Sequence, residues 1–396
     1  MTSALDGIRV LDFSRFVAGP ICCCLLADMG AEVTRVETPD GEADRDVGPF
    51  SPQGERIWFA AWGHHKRGIT LDLQRQEGKD LALRLIALSD VVVHNFTPGS
   101  PQADFLDHTR IREIDPTIVV AAISAYGQNG PWSSLPGFDG AIQALSGVMS
   151  LTGSPDGPPT RTGITWVDFS TAYNTALGIM FALYHRSRTG LGQMLDVSLL
   201  DNAVFPVVAQ GTISEFKLNR AMRCQLGNEG WYTYGNTFKA KDGWVVIQPG
   251  VDSQWRKLAN AIGRPELAED PRYKGNLDRF ANRKSINKII EEWLSNKTVQ
   301  EVGEALEAAR VPWGPVHTVA DVVRNPQLEV RNMLVDVSRP GKESFTVPGF
   351  PLKLSLTPAS VEGAPPLLGE HNMEVYKGLL GLSSDEIEKL REQCVI

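Results

Sequence analysis

The sequence predicts an α/β protein with a doubly wound, Rossmann-like large domain and a smaller α/β domain. Three observations predict it. Short apolar runs alternate with helical patterns through the first 130 residues, which is the signature of βαβ units and a mostly parallel sheet. A second strand-and-helix set begins near Thr233, after a Gly-, Pro- and Ser-rich stretch and two helices. The length, 396 residues, suits two domains, or three, at about 100 to 200 residues each. The divisions expected are 1–215 and 326–396 for the large domain, with 216–325 as the small one.

The elements follow in order. Ile8 to Phe13 reads as the first strand, Ala18-Gly19-Pro20 opens a helix with Pro near its first position, and Ala31 to Glu37 is the next strand. The unit repeats as strand Gly68 to Leu73, helix Glu77 to Ala87, strand Val91 to Phe96, helix Phe105 to Ile114 and strand Ile118 to Tyr126. Gly127 to Arg161 reads as long loops around one helix near Gly140 to Ser146. Thr171 to Arg186 is apolar on nearly every face and is expected to be a buried helix. Gln193 to Val197 gives a strand and Leu200 to Gln210 a helix. The small domain is read as a strand at Gly243 to Gln248, a helix at Asp252 to Ile262, and amphipathic helices at Lys284 to Ser295 and Val299 to Ala309. Val311-Pro312-Trp313-Gly314-Pro315 punctuates its end, and a Pro/Gly-rich return leads to a last helix started by the capping box Ser383…Glu386.

Composition narrows the function. Lys and Arg number 39 against 47 Asp and Glu, a net charge of −8, so the broad basic field that nucleic-acid binding needs is missing. The N-terminal stretch has charges within its apolar run, and nowhere do about 18 uncharged apolar residues run together, so a soluble cytoplasmic protein is expected. Five cysteines without CxxC spacing suit neither a disulfide framework nor a zinc site, and Cys22, Cys23 and Cys24 are expected as small core residues in a reducing compartment.

Familiar motifs are absent. The first strand-to-helix turn, Ser14 to Pro20, lacks GxGxxG, which disfavours a dinucleotide there. No Walker A, GxSxG or HExxH sequence occurs. His64-His65 reads as a loop or surface feature, no metal is expected, and Lys66-Arg67 reads as a solvated pair that could meet phosphates.

Asp168 stands apart, because it places a carboxylate at the head of the apolar helix. As a plain N-cap it would accept backbone N–H bonds and oppose the helix dipole. As a nucleophile it would use the same donors to stay ionised while shielded from water. Both readings stand at this level. Tyr126 to Pro131 and His94 to Gly99 each follow a strand and read either as turns or as ligand contacts.

Together LDFSRFVAGP (Leu11 to Pro20), HHKRGITLDL (His64 to Leu73), NFTPGS (Asn95 to Ser100), AYGQNGPWSSLPGFD (Ala125 to Asp139), the segment Ala144 to Ala172, RTGLGQMLDVSLLD (Arg188 to Asp201), GRPELAEDPRY (Gly263 to Tyr273) and LLGEHNMEVY (Leu367 to Tyr376) resemble the family III CoA-transferases, in order from about residue 5 to 390. The resemblance implies that Asp168 attacks an acyl-CoA thioester and carries CoA covalently. It implies CoA beside Arg15, Phe16, Val17, Ala18, Leu71, Asn95, Phe96 and Tyr126. It further implies an acyl-CoA and a small carboxylic acid as partners, CoA as substrate with no tightly bound cofactor, and an interlocked homodimer. The chain departs from formyl-CoA transferase at Val17, where that enzyme has glutamine, at Ser124 in place of a lysine, in lacking an arginine over Pro98 to Phe105, and in a glycine-rich flap reduced to Gly227 and Gly230. Arg15, Arg45, Arg67 or Arg75 would then meet the CoA phosphates. The alternatives are a 2-methylacyl-CoA racemase of the same fold, whose histidine position holds Phe138 here, and a non-catalytic CoA-binding protein.

Overall fold

The computed structural model describes residues 3–342 and 344–396. The chain divides into two compact units, the first made of Met1–Val148, Thr162–Ser214 and Pro326–Ile396, the second of Met149–Arg161 and Glu215–Asn325.

In the first unit the strands are β1 (Arg9–Asp12), β2 (Glu32–Glu37), β3 (Arg67–Thr70), β4 (Val91–His94), β5 (Val119–Ser124) and β6 (Met194–Ser198). They form one six-stranded sheet in the order β3-β2-β1-β4-β5-β6, parallel at every pairing. Central strands β4 and β5 are fully buried and built from Val, Ala and Ile, as a sheet covered on both faces requires. The order reverses between β1 and β4, and the crevice beyond the carboxyl ends of those strands is where such sheets bind ligands.

One face is covered by α1 (Ala18–Asp28), together with the short α2 (Ile57–Gly63). The other is covered by α3 (Gln76–Ile86), α4 (Pro101–Phe105) and α5 (His108–Ile114), and by two helices of the return segment. The single helix expected over Phe105 to Ile114 is thus two, broken where Asp107 caps α5. Next come α6 (Asp139–Leu145), α7 (Val148–Leu151), α8 (Trp166–Thr189), α9 (Leu199–Ala209) and α10 (Thr212–Asn219). Cys22, Cys23 and Cys24 are buried in α1, as expected of small core residues.

Helix α8 corrects the expectation of all-round burial. Val167, Thr171, Ala172, Thr175, Ile179, Ala182 and Leu183 form its buried stripe, whereas Tyr173, Leu177, Phe181 and Tyr184 are exposed. The residues are apolar on both faces, but among the described residues only one face is buried. Tyr173, Leu177 and Met180 instead border an apolar groove of about 500 Å³ shared with Leu25, Met29 and Leu352.

In the second unit, strands β7 (Asn236–Lys239), β8 (Trp244–Ile247) and β9 (Trp313–Pro315) make an antiparallel sheet. Helices α11 (Asp252–Ala261), α12 (Asn276–Ala281), α13 (Arg283–Leu294) and α14 (Val299–Ala308) belong to the same unit, and their buried residues share its core with the sheet. The sequence reading missed β7, and took β9 for punctuation. Among the described residues no helix is long and apolar enough to cross a membrane.

Candidate active site

The turn after β1 is held by a buried ionic lattice. Asp12 is fully buried at the end of β1; it accepts from Lys66 Nζ at 3.0 Å, from the Ser14 N–H at 2.9 Å and from the Ser14 hydroxyl. Burial pushes its carboxyl up, yet Lys66, Arg35 and Ser14 outweigh that and hold it below the usual carboxylate range. Lys66 also donates to the Pro20 carbonyl at 2.7 Å, tying the first turn of α1 to the same point. This overturns the reading of Lys66 as half of a solvated pair, because its ammonium is wholly withdrawn from solvent. Gly19 packs so close to Ser14 that a Cβ there would lie 2.2 Å from the Ser14 Cβ.

The same turn is clasped from β4. Asn95 Oδ1 accepts from the Arg15 N–H at 2.9 Å, and Asn95 Nδ2 donates to the Arg15 carbonyl at 2.8 Å. Phe16 sits at φ +64°, a costly conformation for an aromatic residue, and its N–H donates to Asp44 Oδ2 at 2.9 Å. Asp44 is in turn fixed by Arg35 at 2.8 Å. Lattice and clasp together over-determine a strained turn.

That turn forms one wall of a cavity of about 330 Å³. Arg15, Phe16, Val17, Ala18, Asn95, Phe96 and Asp168 all line it. Leu71 lies instead in a smaller adjoining pocket that shares Arg15 and Phe96 with the first. Tyr126 is not among the lining residues; it packs edge-on against Trp132, while Ser124 and Ala125 at the end of β5 reach the cavity. The remaining wall, Pro136 to Phe138, was not singled out from the sequence as site lining. Phe138 is 65% exposed and meets Phe16 edge-on at 5.4 Å.

Asp168 is the third residue of α8, and this corrects its reading as an N-cap. The cap comes from Asp139, 29 residues earlier, whose Oδ2 accepts from the Val167 N–H at 2.9 Å and from the Asp168 N–H at 3.4 Å. Asp139 is itself buried and held by Gln143 Nε2 at 2.6 Å. Among the described residues no donor bonds the Asp168 carboxylate, so the expectation that backbone N–H groups keep it ionised fails. Burial, with the like charge of Asp139 second, pushes its carboxyl up to about 7. The signal for Asp139 was present in the LPGFD segment, but nothing in the sequence shows that it starts a helix so far away.

Other expectations change as well. Arg45 is buried and forms a two-point pair with Glu37 at 2.7 and 2.6 Å, so it is committed to the lattice. Arg15 pairs with Glu42 at 2.7 Å and lies over the Phe96 ring, Arg67 pairs with Glu32 at 3.1 Å, and Arg75 donates to the Gln393 carbonyl at 2.7 Å. Of these cations Arg15 alone lines the cavity. His64 is buried against Cys24 and is no surface feature. His94 is buried behind Phe96, and burial lowers its imidazole to about 4, so it is neutral at physiological pH.

An open parallel α/β sheet with a strained turn, a cavity at its carboxyl edge and a partly buried carboxylate within defines an enzyme-like site of the doubly wound class. The chain belongs to CoA-transferase family III, which it matches over residues 5–372. It is 33% identical over 395 residues to succinyl-CoA–D-citramalate CoA-transferase of Chloroflexus aurantiacus, covering 99% of this chain and 98% of that protein. It is 37% identical over 397 residues to succinyl-CoA:mesaconate CoA-transferase of Haloarcula hispanica, covering 97% and 99%. Formyl-CoA:oxalate CoA-transferase of Streptomyces coelicolor is 36% identical over 409 residues, covering 99% of each. Among solved structures, a CAIB/BAIF family protein from Brucella suis superposes with a TM-score of 0.84 at 32% identity, covering 96% of this chain and all of that one.

Proposed function

We propose that this protein transfers CoA from an acyl-CoA donor to a carboxylic acid, with Asp168 as the covalent carrier. The observation that carries the reading is that Asp168 shares one cavity with the strained Arg15 to Ala18 turn and with Asn95 and Phe96. An Asp168 oxygen attacks the thioester carbonyl carbon, the C–S bond breaks, and CoA leaves as thiolate, giving an acyl-aspartyl anhydride. The thiolate then attacks the aspartyl carbonyl and expels the donor's carboxylate, leaving CoA as a thioester on Asp168. The acceptor carboxylate repeats these two steps in reverse, forming the new acyl-CoA and restoring Asp168. No proton is needed at any step.

The racemase reading requires a base where Phe138 stands, and an aromatic hydrocarbon ring can take no proton. Phe16, Val17 and Phe138 give the cavity an apolar wall that suits an acyl chain, while Arg15 offers a cation at the opposite character. The exposed apolar face of α8 and its groove suit burial against a second copy, consistent with a homodimer. Five free cysteines suit a reducing, cytoplasmic setting.

Trapping tests the proposal: incubation with succinyl-CoA followed by hydroxylamine should convert Asp168 to its hydroxamate, read by peptide mass spectrometry. Hydroxamate at another residue, or none with transfer intact, would refute it. Deuterium entering the acyl α-carbon without transfer would favour the racemase, and bound CoA without either reaction a binding protein.

The electrostatics of Asp168 give a pH prediction. Only the ionised carboxylate attacks, so kcat/KM should rise with pH through about 7. Asp139→Asn keeps an oxygen for the α8 cap but removes the like charge, and should move that limb to lower pH without abolishing it. A pH–rate profile unchanged by the substitution would contradict the coupling.

A further inference from the structure

Away from the cavity, three side chains with metal-binding atoms converge between the end of α1 and the loop after α2, and His65 approaches one of them. Cys24 and Asp28 are four residues apart on α1 and so share one face of it. His64 and His65 follow α2 directly. The Cys24 sulfur lies 3.2 Å from His64 Nε2, His64 Nε2 lies 3.5 Å from Asp28 Oδ1, and His65 Nδ1 lies 3.3 Å from the same oxygen. Ligand atoms of Cys24, Asp28 and His64 all fall within 4.8 Å of one another, and all three residues are buried. His65 reaches Asp28 from a left-handed backbone conformation, φ +58°.

The Cys24–His64 and His64–Asp28 distances match edges of one face of a small coordination tetrahedron. Bonds of about 2.0 to 2.3 Å to N, O and S around tetrahedral zinc place neighbouring ligand atoms about 3.3 to 3.7 Å apart. An ordinary catalytic relay is a poorer match, because a triad uses the two ring nitrogens for different partners, whereas here Nε2 of His64 faces both the thiol and the carboxylate. Charge favours the ion too. A divalent cation held by a thiolate, a carboxylate and a neutral imidazole carries no net charge, so its burial avoids the cost of an isolated ion.

We propose that Cys24, Asp28 and His64 form a zinc site that staples the end of α1 to the loop following α2. Binding exchanges the thiol proton for the metal: the S–H bond breaks, an S–Zn bond forms, and the proton leaves to solvent. With three protein ligands the fourth position falls to water, and burial of all three keeps the site apart from the chemistry at Asp168.

Metal analysis tests this on the full chain. Protein equilibrated with zinc sulfate and then gel-filtered should retain about one zinc per chain. Replacing the zinc with cobalt should produce visible tetrahedral d–d bands and a thiolate-to-cobalt charge-transfer band. Cys24→Ser should lose the charge-transfer band, and His64→Ala should lower zinc retention at least about tenfold, with circular dichroism reporting whether each variant is folded. Wild-type protein holding less than about 0.1 zinc per chain and giving no thiolate band would overturn the proposal, as would full retention in both folded variants. The wild-type measurement stands whether or not a variant folds.

Discussion

Asp168→Asn is expected to slow CoA transfer by at least about 10⁴-fold, the scale on which removing a covalent nucleophile acts. The same substitution should stabilise the protein at pH 8. Asp168 has a folded value near 7 against an ordinary 3.8, so between those values the native state keeps a proton that the unfolded chain has given up. Stability due to this group therefore falls as pH rises through that window, and above it the native state carries the full cost of an ionised carboxylate away from water. Asparagine has no such cost. After allowance for the carboxylate's partial exposure, the gain should be about 1 to 3 kcal/mol at pH 8, vanishing below pH 4. Urea unfolding at the two pH values alongside a transfer assay checks both halves. A loss of activity with lower stability at pH 8 would indicate that Asp168 serves the fold instead.

The second large effect concerns Lys66. Lys66→Met should cost about 3 to 5 kcal/mol, because it leaves Asp12 ionised, fully buried and without its main cation. The Pro20 carbonyl loses its donor at the same time. Adding Asp12→Asn should recover more than half of that loss, since the orphaned charge goes with it. Denaturant titrations of the single and double variants measure the coupling, and strictly additive effects would show that the pair is energetically independent. Because Asp12 also anchors Ser14 and the turn that lines the cavity, KM for the acyl-CoA should rise in the single variant even where folded protein is recovered.

The parallel sheet was legible because its strands are short Val- and Ile-rich runs separated by helical periods, and a covered sheet admits little else. The strand-to-helix turn at Arg15 to Ala18 and the helix start near Asp168 were legible as structure because strand ends and helix starts are local features, whereas their place in one site was expected only from the family resemblance. What escaped was set by partners far away in the chain. Lys66 and Arg67 look alike in sequence, yet the first meets Asp12 inside the protein and the second meets Glu32 at its surface. Proximity offers Asp168 as one reading of the α8 cap, whereas Asp139 supplies it. Trp313-Gly314-Pro315 resembles a chain break but pairs along β8, where it forms an edge and proline's missing donor does no harm. Leu334–Ser338 and Ser344–Pro348 form a hairpin within what read as an irregular return.

That no donor among the described residues bonds the Asp168 carboxylate bears on which form the proposed mechanism favours during turnover. In the proposed mechanism, anhydride or thioester formation erases the charge on this residue, so the loaded protein is spared both the dehydration of an anion and the repulsion from Asp139. If Asp168 is the carrier proposed above, the niche disfavours its free carboxylate relative to its loaded forms. A carrier in such surroundings should accumulate in its charged-with-cargo state when acceptor is scarce, visible as a stoichiometric burst of released donor acid before steady turnover begins.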